Sequence, residues 1–588
     1  MSKKRIAVIK KEKCNPLSCN DLCMKLCPIN RMGEECISKD DHSKASIDEL
    51  QCTGCGICSN RCPFKAISII NLPSELQKDP IHRYGMNGFH LYNLPLPVFG
   101  KVVGVIGRNG IGKTTAIQIL AGLLKPNFGS EDHDENQSFD ELIDKFKGTE
   151  AQLFFEKLKR KEITISYKLQ KVDLLAKRYS CTVKDLLIKA DETNKLSEIS
   201  SLLKIENIFD RKINELSGGE LQKIAIAGCF LKKANVFILD EPTSFLDIKQ
   251  RIAIAKFLRS QLNPEISILV VEHDLVVLDY MADIVHILYG EPGVYGVVSL
   301  PKTIRDGINV YLLGFLKEEN IRFRDHELKF YSRPPLMLKK EESIISWQSL
   351  SKKLGNFNMN ASDGQIPKKG MIGVLGENGI GKTTLMRILA GEIKPDLGEI
   401  SKEAKISYKP QYIEVKNDEI VRLFLKDAIS QFSSQLIKPF ELDLLLDRKL
   451  SELSGGELQR VMIAKTLSAD ADIYLLDEPS AYLDVEQRLI VAKTISTLID
   501  IKEKSAVIID HDLLFIDNVS SLLFVFKGKP SISGECIGPI EMEEGMNSFL
   551  KELEITFRRD IDSKRPRANK EGSQLDVKQK HEGKYYYG

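Results

Sequence analysis

The chain has 588 residues, of which 43% are hydrophobic and 28% charged, and its formal net charge is +2 at pH 7. This length exceeds what one hydrophobic core supports and predicts about three to five domains, and the composition points neither to disorder nor to a membrane protein. No apolar run is long enough to span a bilayer, and the basic start MSKKRIAVIKKEK lacks the features of a signal peptide. We therefore expect a soluble cytoplasmic protein with no membrane partner.

The first feature along the chain is a cluster of cysteines. Nine of the twelve cysteines lie within the first 62 residues, and this clustering favours a metal centre over disulfides in a cytoplasmic chain. One run has the full bacterial ferredoxin pattern, and the other is a looser version with the same Cys-Pro ending. The two runs are Cys52-x2-Cys55-x2-Cys58-x3-Cys62-Pro63 and Cys14-x4-Cys19-x3-Cys23-x3-Cys27-Pro28.

Each run is expected to give three thiolates to one [4Fe–4S] cluster and its last cysteine to the other, as in two-cluster ferredoxins. The predicted ligand sets are Cys14, Cys19, Cys23 and Cys62 for one cluster, and Cys27, Cys52, Cys55 and Cys58 for the other. Two zinc sites or buried free thiols are the alternatives, although zinc ribbons prefer two separated CxxC pairs. Cys36 fits neither set and is expected to be a small buried hydrophobic residue.

Downstream, four sequence elements each occur twice in the same order, which predicts two similar α/β modules in tandem. The pairs are GRNGIGKTT (107–115) with GENGIGKTT (376–384), LSGGE (216–220) with LSGGE (453–457), VFILDEPTSFLD (236–247) with IYLLDEPSAYLD (473–484), and EHD (272–274) with DHD (510–512).

The first element follows an apolar strand and opens a helix, as a phosphate-binding loop does. Its glycines bring backbone N–H groups onto the phosphates, its lysine reaches the β- and γ-phosphates, and the threonine after the lysine is a candidate Mg²⁺ ligand. The predicted ATP-binding residues are Gly107, Asn109, Gly110, Gly112, Lys113, Thr114 and Thr115, and Gly376, Asn378, Gly379, Gly381, Lys382, Thr383 and Thr384.

In each copy an apolar strand ends in Asp-Glu, and a later apolar strand is followed by a histidine. The aspartate would lie beside the Mg²⁺, the glutamate would polarise the attacking water, and the imidazole would reach the γ-phosphate. A structural histidine is the alternative, but its recurrence at nearly the same distance from the glutamate disfavours that role. The predicted magnesium ligands are Asp240 and Asp477, and the predicted catalytic residues are Glu241, Glu478, His273 and His511.

LSGGE is the sequence that marks the ATP-binding-cassette (ABC) family, and both copies resemble it without departure. The resemblance implies that the modules pair head to tail, so that each ATP lies between one phosphate loop and the other module's signature. It pairs Lys113 with the second signature and Lys382 with the first. The signature residues and the Mg²⁺-sensing glutamines that it implies are Ser217, Gly218, Gly219, Ser454, Gly455, Gly456, Gln170 and Gln411.

One further residue and three further segments are of interest. Tyr84 is a candidate for stacking on adenine, with a buried core tyrosine as the alternative. Residues 129–160 predict a helix-loop-helix insertion whose basic end suggests binding, although tolerated surface insertions are common. The segments 289–324 and 556–588 are predicted to be ordered hinges that clamp the modules, with a disordered RNA-binding tail as the alternative for the second.

The predicted fold class is therefore α/β, with two tandem P-loop ABC nucleotide-binding domains and a small ferredoxin-like α+β domain carrying two [4Fe–4S] clusters. The predicted domains are 1–75 (iron–sulfur), 76–293 (first nucleotide-binding domain), 294–342 (hinge), 343–540 (second nucleotide-binding domain) and 541–588 (C-terminal hinge and basic tail).

Together these features resemble the E subfamily of ABC proteins, the ribosome recycling factors of archaea and eukaryotes, also called the RNase L inhibitor family. The resemblance covers essentially the whole chain, including HRYGMNGFHLYNLP, GVYGVVSLPKTIRDGIN and RPRANKEGSQLDVKQKHEGKYYY. It implies a monomeric mechanical ATPase that closes around ATP and Mg²⁺, swings its iron–sulfur domain and splits ribosomes after termination. The implied partners are the small ribosomal subunit with its rRNA and proteins, a release factor of the archaeal or eukaryotic type, and initiation factors.

Three other functions compete with this one. ATP-gated electron transfer through the clusters is the main alternative, but no flavin or haem motif accompanies the cysteine runs. ATPase subunits of transporters usually have no clusters. DNA-repair cassette proteins interrupt the cassette with coiled coils much longer than residues 129–160.

Overall fold

The structure is a computed structural model, and it describes residues 5–49, 51–71, 79–129, 139–330, 343–401, 404–413 and 418–586. A small cysteine-bearing domain precedes two α/β modules, which confirms the predicted fold class. Within these ranges, no helix is both long enough and apolar enough to cross a membrane.

Short elements support the cysteine loops of the N-terminal domain. They are β1 (Arg5–Ile9), α1 (Pro16–Cys19), α2 (Leu22–Leu26), α3 (Pro28–Arg31), β2 (Ile37–Lys39), β3 (Ala45–Ile47), α4 (Ile57–Arg61) and β4 (Ile67–Asn71). β1 pairs antiparallel with β4, and β2 with β3. Helices α2 and α4, which carry cysteines of the two runs, pack against each other. The ferredoxin-like spacing thus brings both runs into one small core.

Asn87 fastens this domain to the first module. The Asn87 amide Nδ2 donates to the Ile47 carbonyl at 2.9 Å, and the Ile47 N–H donates to Asn87 Oδ1 at 2.8 Å. The Asn87 carbonyl accepts a further hydrogen bond from the Ile9 N–H at 2.9 Å. An ion pair of 3.2 Å between Arg83 and Glu49 lies nearby. The buried Asn87 therefore links the two domains, because its side chain and its carbonyl both bond to backbone groups of the N-terminal domain.

The first module is a twisted sheet with helices on its faces. Its strands are β5 (His82–Arg83), β6 (His90–Tyr92), β7 (Val102–Gly107), β8 (Ile165–Lys168), β9 (Val236–Asp240), β10 (Ser267–Val271), β11 (Ile284–Glu291), β12 (Tyr295–Val298) and β13 (Lys302–Thr303). The sheet order is β5-β6-β12-β11-β7-β10-β9-β8, with β13 paired to β11. Strands β11, β7, β10, β9 and β8 run parallel, and β7, β9 and β10 are buried throughout, as expected for strands covered on both faces.

The helices of this module carry the phosphate loop, the insertion and the signature. They are α5 (Lys113–Leu120), α6 (Phe139–Lys145), α7 (Glu150–Lys159), α8 (Asp173–Arg178), α9 (Val183–Ala190), α10 (Leu196–Leu203), α11 (Gly218–Phe230), α12 (Ile248–Ser260) and α13 (Leu275–Met281).

The predicted helix-loop-helix insertion corresponds to α6 and α7, while residues 130–138 lie outside the described residues. Gly148 separates the two helices with φ of 79°, a left-handed conformation that suits glycine. Phe155 is fully buried and stacks on Phe146 with ring centroids 5.8 Å apart. The basic residues at the end of α7 are exposed, namely Lys157, Lys159, Arg160 and Lys161.

The second module repeats this architecture. Its strands are β16 (Ser343–Trp347), β17 (Leu350–Leu354), β18 (Phe357–Ala361), β19 (Gly364–Pro367), β20 (Gly370–Leu375), β21 (Ile406–Lys409), β22 (Ile473–Asp477), β23 (Ser505–Ile509), β24 (Leu522–Lys529) and β25 (Ser533–Glu541). Its helices are α15 (Lys382–Ala390), α16 (Val421–Phe424), α17 (Lys426–Phe432), α18 (Gly455–Ser468), α19 (Val485–Lys502), α20 (Leu513–Val519) and α21 (Met542–Leu553). The main sheet order, β17-β18-β25-β24-β20-β23-β22-β21, matches that of the first module.

The two modules share a continuous apolar core. A single cluster of buried side chains includes Leu275 and Val276 of α13 together with Leu514 and Phe515 of α20. These helices contact each other across the module boundary. This buried apolar packing joins the two modules.

Both connecting segments are folded where the structure describes them. The hinge contains α14 (Ile304–Leu313), β14 (Phe315–Leu316) and β15 (Ile321–Arg322), and the tail contains β26 (Phe557–Arg559), β27 (Pro566–Ala568) and α22 (Gln574–Glu582). The alternative of a disordered tail therefore does not hold for the described part. Two predicted boundaries shift, because β12 and β13 continue the first sheet past residue 293 and β25 extends to Glu541. Residues 331–342 of the predicted hinge lie outside the described residues.

The tail binds equivalent aspartates of the two modules. Arg565, which is completely buried, donates to Asp279 Oδ2 at 2.9 Å, and Arg567 forms two more bonds to Asp279 at 2.7 and 2.9 Å. At the corresponding position of α20, Asp517 accepts a hydrogen bond from Tyr586 and one of 3.3 Å from Arg559. The tail therefore bridges α13 and α20.

We expect Asp279→Asn to loosen the tail, because it leaves the buried guanidinium of Arg565 without its ion-pair partner and leaves Arg567 with Asp560 alone, at a cost of about 3 kcal/mol or more. Hydrogen–deuterium exchange of peptides covering β26 and β27 should become faster. Asp447→Asn is the matched control, because its partner Arg422 lies on the surface and such pairs contribute about 1 kcal/mol or less. Unchanged exchange in the Asp279 variant would contradict the bridging role.

Candidate nucleotide sites and cysteine centre

The two phosphate loops have the same geometry. Lys113 Nζ donates to the carbonyls of Gly107 and Arg108 at 2.9 and 2.8 Å. Lys382 forms the equivalent bonds of 2.9 and 2.6 Å in the second loop. Burial lowers the pKa of both ammonium groups, that of Lys382 to about 8. The lysine thus lies inside its own loop, where the peptide N–H groups at the start of the helix favour anions.

Gly112 closes the first loop under a steric constraint. Its φ is 90°, and a Cβ built at this position would lie 2.7 Å from the ring of Phe89. Gly381 has the same role in the second loop, with φ of 99° and the side chain of Met359 2.8 Å from a built Cβ. These glycines allow Phe89, which directly precedes β6, and Met359 of β18 to pack closely against the loops.

A threonine and an aspartate meet behind each loop. Thr114 Oγ1 donates to Asp240 Oδ2 at 3.0 Å, and Thr383 Oγ1 donates to Asp477 Oδ2 at 2.9 Å. The other oxygen of each carboxylate is buried and accepts no hydrogen bond from the residues that the structure describes. Burial and the neighbouring glutamate raise the pKa of each aspartate to about 6. An unpaired buried carboxylate oxygen beside a threonine hydroxyl is a donor set that fits Mg²⁺.

The glutamate that follows the aspartate is held by a glutamine and a histidine. Glu241 lies at a strained backbone position with φ of 47°, and its Oε1 accepts from Gln170 Nε2 at 2.8 Å. His273 Nε2 lies 3.6 Å from the same oxygen. The second module repeats this arrangement with Glu478 at φ of 48°, Gln411 at 2.7 Å and His511 at 3.4 Å. The structure therefore brings three predicted residues together in each module.

Charges from the opposite module act on these groups. Burial lowers the pKa of His273 well below its ordinary value, assisted by Lys113 and by Arg488 of the second module. Burial opposes the ionisation of Glu478, but the hydrogen bond from His511 and the charges of His511, Lys382 and Arg251 hold its pKa below the ordinary value. Near neutral pH, the first site is thus neutral at His273, and the second is anionic at Glu478.

Each phosphate loop contacts the opposite module through an aspartate to which the sequence analysis assigned no role. Asp484 Oδ2 accepts from the Asn109 N–H of the first phosphate loop at 2.9 Å, and Asp247 Oδ2 accepts from the Asn378 N–H of the second at 3.0 Å. Both aspartates also cap the helix that they precede. Their recurrence at the end of the third repeated element was a signal that could have identified them.

Other buried groups support the turn after the strand. Lys168 Nζ donates to the carbonyl of Asp240 at 2.8 Å, and Gln222 donates to that of Glu241 at 2.6 Å. Lys409 and Gln459 repeat these bonds in the second module at 2.7 and 2.5 Å. Sequence reasoning did not identify these four residues, which hold the strained carboxylate in place.

The signature serines begin their helices. Ser217 caps α11 and Ser454 caps α18, each in a reciprocal capping box with the glutamate of its own LSGGE. Gly456 lies against the backbone of Tyr482, since a Cβ built there would lie 2.9 Å from the Tyr482 carbonyl oxygen. The second signature is thus packed onto the segment that ends at Asp484. The family resemblance implied that Lys113 pairs with Ser454 across the two modules. The contact that the structure describes between this loop and the second module is instead the bond between Asn109 and Asp484.

Tyr84 is half exposed, and its hydroxyl lies 3.2 Å from Thr115 Oγ1 of the first phosphate loop. The alternative of a buried core tyrosine is therefore wrong. Its stacking on adenine stays a prediction.

The charges that act on the thiols of the N-terminal domain come mostly from within the predicted ligand sets. Burial raises the pKa of Cys23 to about 11, and the charges of Cys14, Cys19 and Cys62 act in the same direction. Burial, together with the charges of Cys52, of Cys55 and of Cys23 from the other set, raises the pKa of Cys58 to about 12. The charge of Cys27 acts with that of Cys52 on Cys36, so Cys27 lies beside the second set.

These thiols form no disulfide. In the part of the chain that the structure describes, no three His, Cys, Asp or Glu side chains converge as a site for a single metal ion. Cysteines of both runs lie together in one small buried core, and thiolates are the ligands of iron–sulfur clusters, so the donor set fits such clusters. Cys36 is buried, as expected.

Three family models match the chain. The model for "ABC transporter" matches residues 98–244 and 359–481, that for "4Fe-4S binding domain" matches 45–68, and that for "Possible Fer4-like domain in RNase L inhibitor, RLI" matches 5–35. The matches to the cysteine runs and the cassettes lie where the sequence placed them.

Two curated relatives span almost the whole chain. An uncharacterized ABC transporter ATP-binding protein of Methanocaldococcus jannaschii is 51% identical over 99% of this chain and 97% of its own length. The ABC transporter E family member 1 of Arabidopsis thaliana is 42% identical over 99% of this chain and 98% of its own length.

Two solved structures are similar to this one. In a "Model of ribosome-bound archaeal Pelota and ABCE1", a chain of 49% identity matches with a TM-score of 0.93, covering 100% of this chain and 99% of that one. In a complex of an archaeal ribosomal stalk protein with an archaeal ribosome recycling factor, a chain of 49% identity matches with a TM-score of 0.83, covering 88% of this chain and 100% of that one.

Proposed function

The chain belongs to the E family of ATP-binding-cassette proteins, the family of the RNase L inhibitors, and we propose that it is an ATP-driven ribosome recycling factor. This function is supported by one observation: a single chain joins an iron–sulfur domain to two paired ABC modules and matches a recycling factor at 49% identity. Closure of the modules around ATP drives the iron–sulfur domain against the ribosome and splits it into subunits.

The iron–sulfur domain lies against the first nucleotide site. Gly293 donates its N–H to the Gly110 carbonyl of the phosphate loop at 2.8 Å, and a Cβ built at Gly293 would lie 3.4 Å from Lys10 of the N-terminal domain. Burial, Lys10 and Arg448 of the second module all lower the pKa of Lys13. The domain contacts the first module beside this site, and its Lys13 lies within reach of the charge of Arg448 in the second module, so we infer that a change in closure there is transmitted to it.

Each site is proposed to hydrolyse ATP with its own glutamate. Glu241 and Glu478 would orient and polarise the attacking water, and His273 and His511 would donate to the γ-phosphate. Lys113 with the second signature would form the first site, and Lys382 with the first signature the second. Mg²⁺, held by Thr114, Gln170 and Asp240 or by Thr383, Gln411 and Asp477, would supply positive charge to the phosphates.

Two [4Fe–4S] clusters are proposed, one for each cysteine set. The closeness of Cys23 to Cys14, Cys19 and Cys62 supports the first set. The clusters are proposed to stiffen a domain that has only short strands and helices of its own.

The proposed partners follow from the relatives. One similar chain is described on the ribosome with archaeal Pelota, and another with a ribosomal stalk protein. We infer that this chain acts in the cytoplasm as a monomer on the small subunit, with a release factor of that kind. The exposed basic end of α7 is a suitable contact for rRNA phosphates.

We expect Glu241→Gln with Glu478→Gln to lower ATP turnover by about 100-fold or more, because the amide cannot polarise water. With ATP present, the same chain should stay on small subunits in a sedimentation assay, since it closes and is not reset. Glu265→Gln, at an exposed loop, is the matched control. Turnover near the wild-type rate would mean that these glutamates are not the water-polarising groups.

Anaerobically purified protein should contain about eight iron atoms per chain, measured with acid-labile sulfide. Cys55→Ser should lower iron by about half because it removes a ligand of one cluster, whereas Cys36→Ala should leave it unchanged. A finding of zinc in place of iron would exclude the cluster assignment.

A further inference from the structure

The two phosphate loops carry opposite charges at the same position. The residue after the first glycine of the loop is Arg108 in the first module and Glu377 in the second. Arg108 lies 3.6 Å from Glu486 and 3.7 Å from Glu441, both in the second module. Glu377 lies 2.6 Å from Lys249 of the first module. Each loop is therefore ion-paired to the opposite module, with the signs exchanged.

The partner residues correspond to each other in the repeat. Lys249 and Glu486 are each the second residue after the aspartate that contacts the opposite loop, Asp247 or Asp484. Glu441 has its counterpart in Lys204, which precedes Lys249 by the same number of residues as Glu441 precedes Glu486. Both hold the left-handed conformation, with φ of 53° for Glu441 and 54° for Lys204. The first module thus presents lysines where the second presents glutamates.

The environments of the two ion pairs differ. The Glu486 side chain is 5% exposed and is also bound by Arg324 of the hinge, whose Nε lies 3.3 Å from Glu486 Oε2. Arg324 itself donates to the carbonyls of Tyr311 and Leu312 in α14 at 2.8 and 3.0 Å. The side chains of Lys249 and Glu377 are 51% and 27% exposed. The first loop is thus attached at longer distances to a buried carboxylate that salt screens less, and the second at a short distance to an exposed lysine.

We propose that Arg108 and Glu377 are positioning residues that dock each phosphate loop on the opposite module through ion pairs of opposite sign. The charges allow the first module to pair only with the second. Pairing of two first modules would bring Arg108 to Lys249, and pairing of two second modules would bring Glu377 to Glu486. Such like-charge contacts act against wrong partners, while matched pairs favour closure of each ATP site.

The inference rests on the head-to-tail pairing in the proposed function, and ATP binding tests it without hydrolysis or ribosomes. The parent chain carries Glu241→Gln and Glu478→Gln, with Lys382→Ala added to confine ATP to the first site. In this chain, Arg108→Glu and Glu441→Lys should each weaken the affinity for radiolabelled ATP about fivefold. The combined variant should recover part of that loss, because the reversed charges at 108 and 441 attract each other, while Glu486 and Arg460 keep the recovery incomplete. High salt should shrink both effects, since it screens the ion pairs.

The second site supplies the matched comparison. With Lys113→Ala in place of Lys382→Ala, the Arg108 and Glu441 variants should leave ATP affinity unchanged. Lys249→Glu and Glu377→Lys should each weaken it about fivefold there and compensate each other when combined. Reversal of the exposed pair Lys369 and Glu503 is the control for surface charge and should alter neither site.

If the single variants lost ATP affinity by misfolding, the combined variant would lose more affinity. Affinity recovered in a combined variant therefore cannot come from misfolding. Iron content and thermal midpoint serve as further checks on folding. The proposal is overturned if a combined variant binds ATP no better than its weaker single variant, or if each reversal affects both sites equally. Failure of ribosome splitting alone would overturn the proposed function and leave this ion-pair result standing.

Discussion

The rest of the structure depends on one repeated contact, a carboxylate of each module that accepts a backbone N–H from the other module's phosphate loop. Asp484 binds Asn109 and Asp247 binds Asn378, at 2.9 and 3.0 Å. Each phosphate loop is thus bonded to the opposite module. In the proposed function each ATP site draws on both modules, so closure and nucleotide binding would be one event.

The surrounding segments connect this contact to other parts of the molecule. The tail bridges Asp279 and Asp517 on equivalent helices that follow the two histidines. The hinge reaches the first site through Arg324 and Glu486. On the other side, Asn87 joins the cysteine domain to the module that carries this site. Buried polar contacts therefore link the hinge to the first phosphate loop, the tail to one helix of each module, and the cysteine domain to the first module.

Sequence reasoning succeeded where chemistry is local or repeated. The phosphate loops, the Asp-Glu strand ends, the glutamines and the histidines all assemble as their motifs predict, because short spacings and the sheet topology fix their positions. It did not identify Lys168, Asn87 or the bond between Arg565 and Asp279, since their partners lie far away in the chain and follow no spacing rule. The module boundary at 293 was placed too early, because β12 and β13 are short strands without a strong apolar pattern.

The most direct test of this account is ribosome dissociation. Ribosomes of the parent lineage, a release factor, ATP and the anaerobically purified chain would be mixed and separated on a sucrose gradient. A ribosome recycling factor should convert the ribosomes to free subunits, and this conversion should require both ATP and intact cysteine sets. Intact ribosomes in the presence of a preparation that hydrolyses ATP and retains its iron would contradict it.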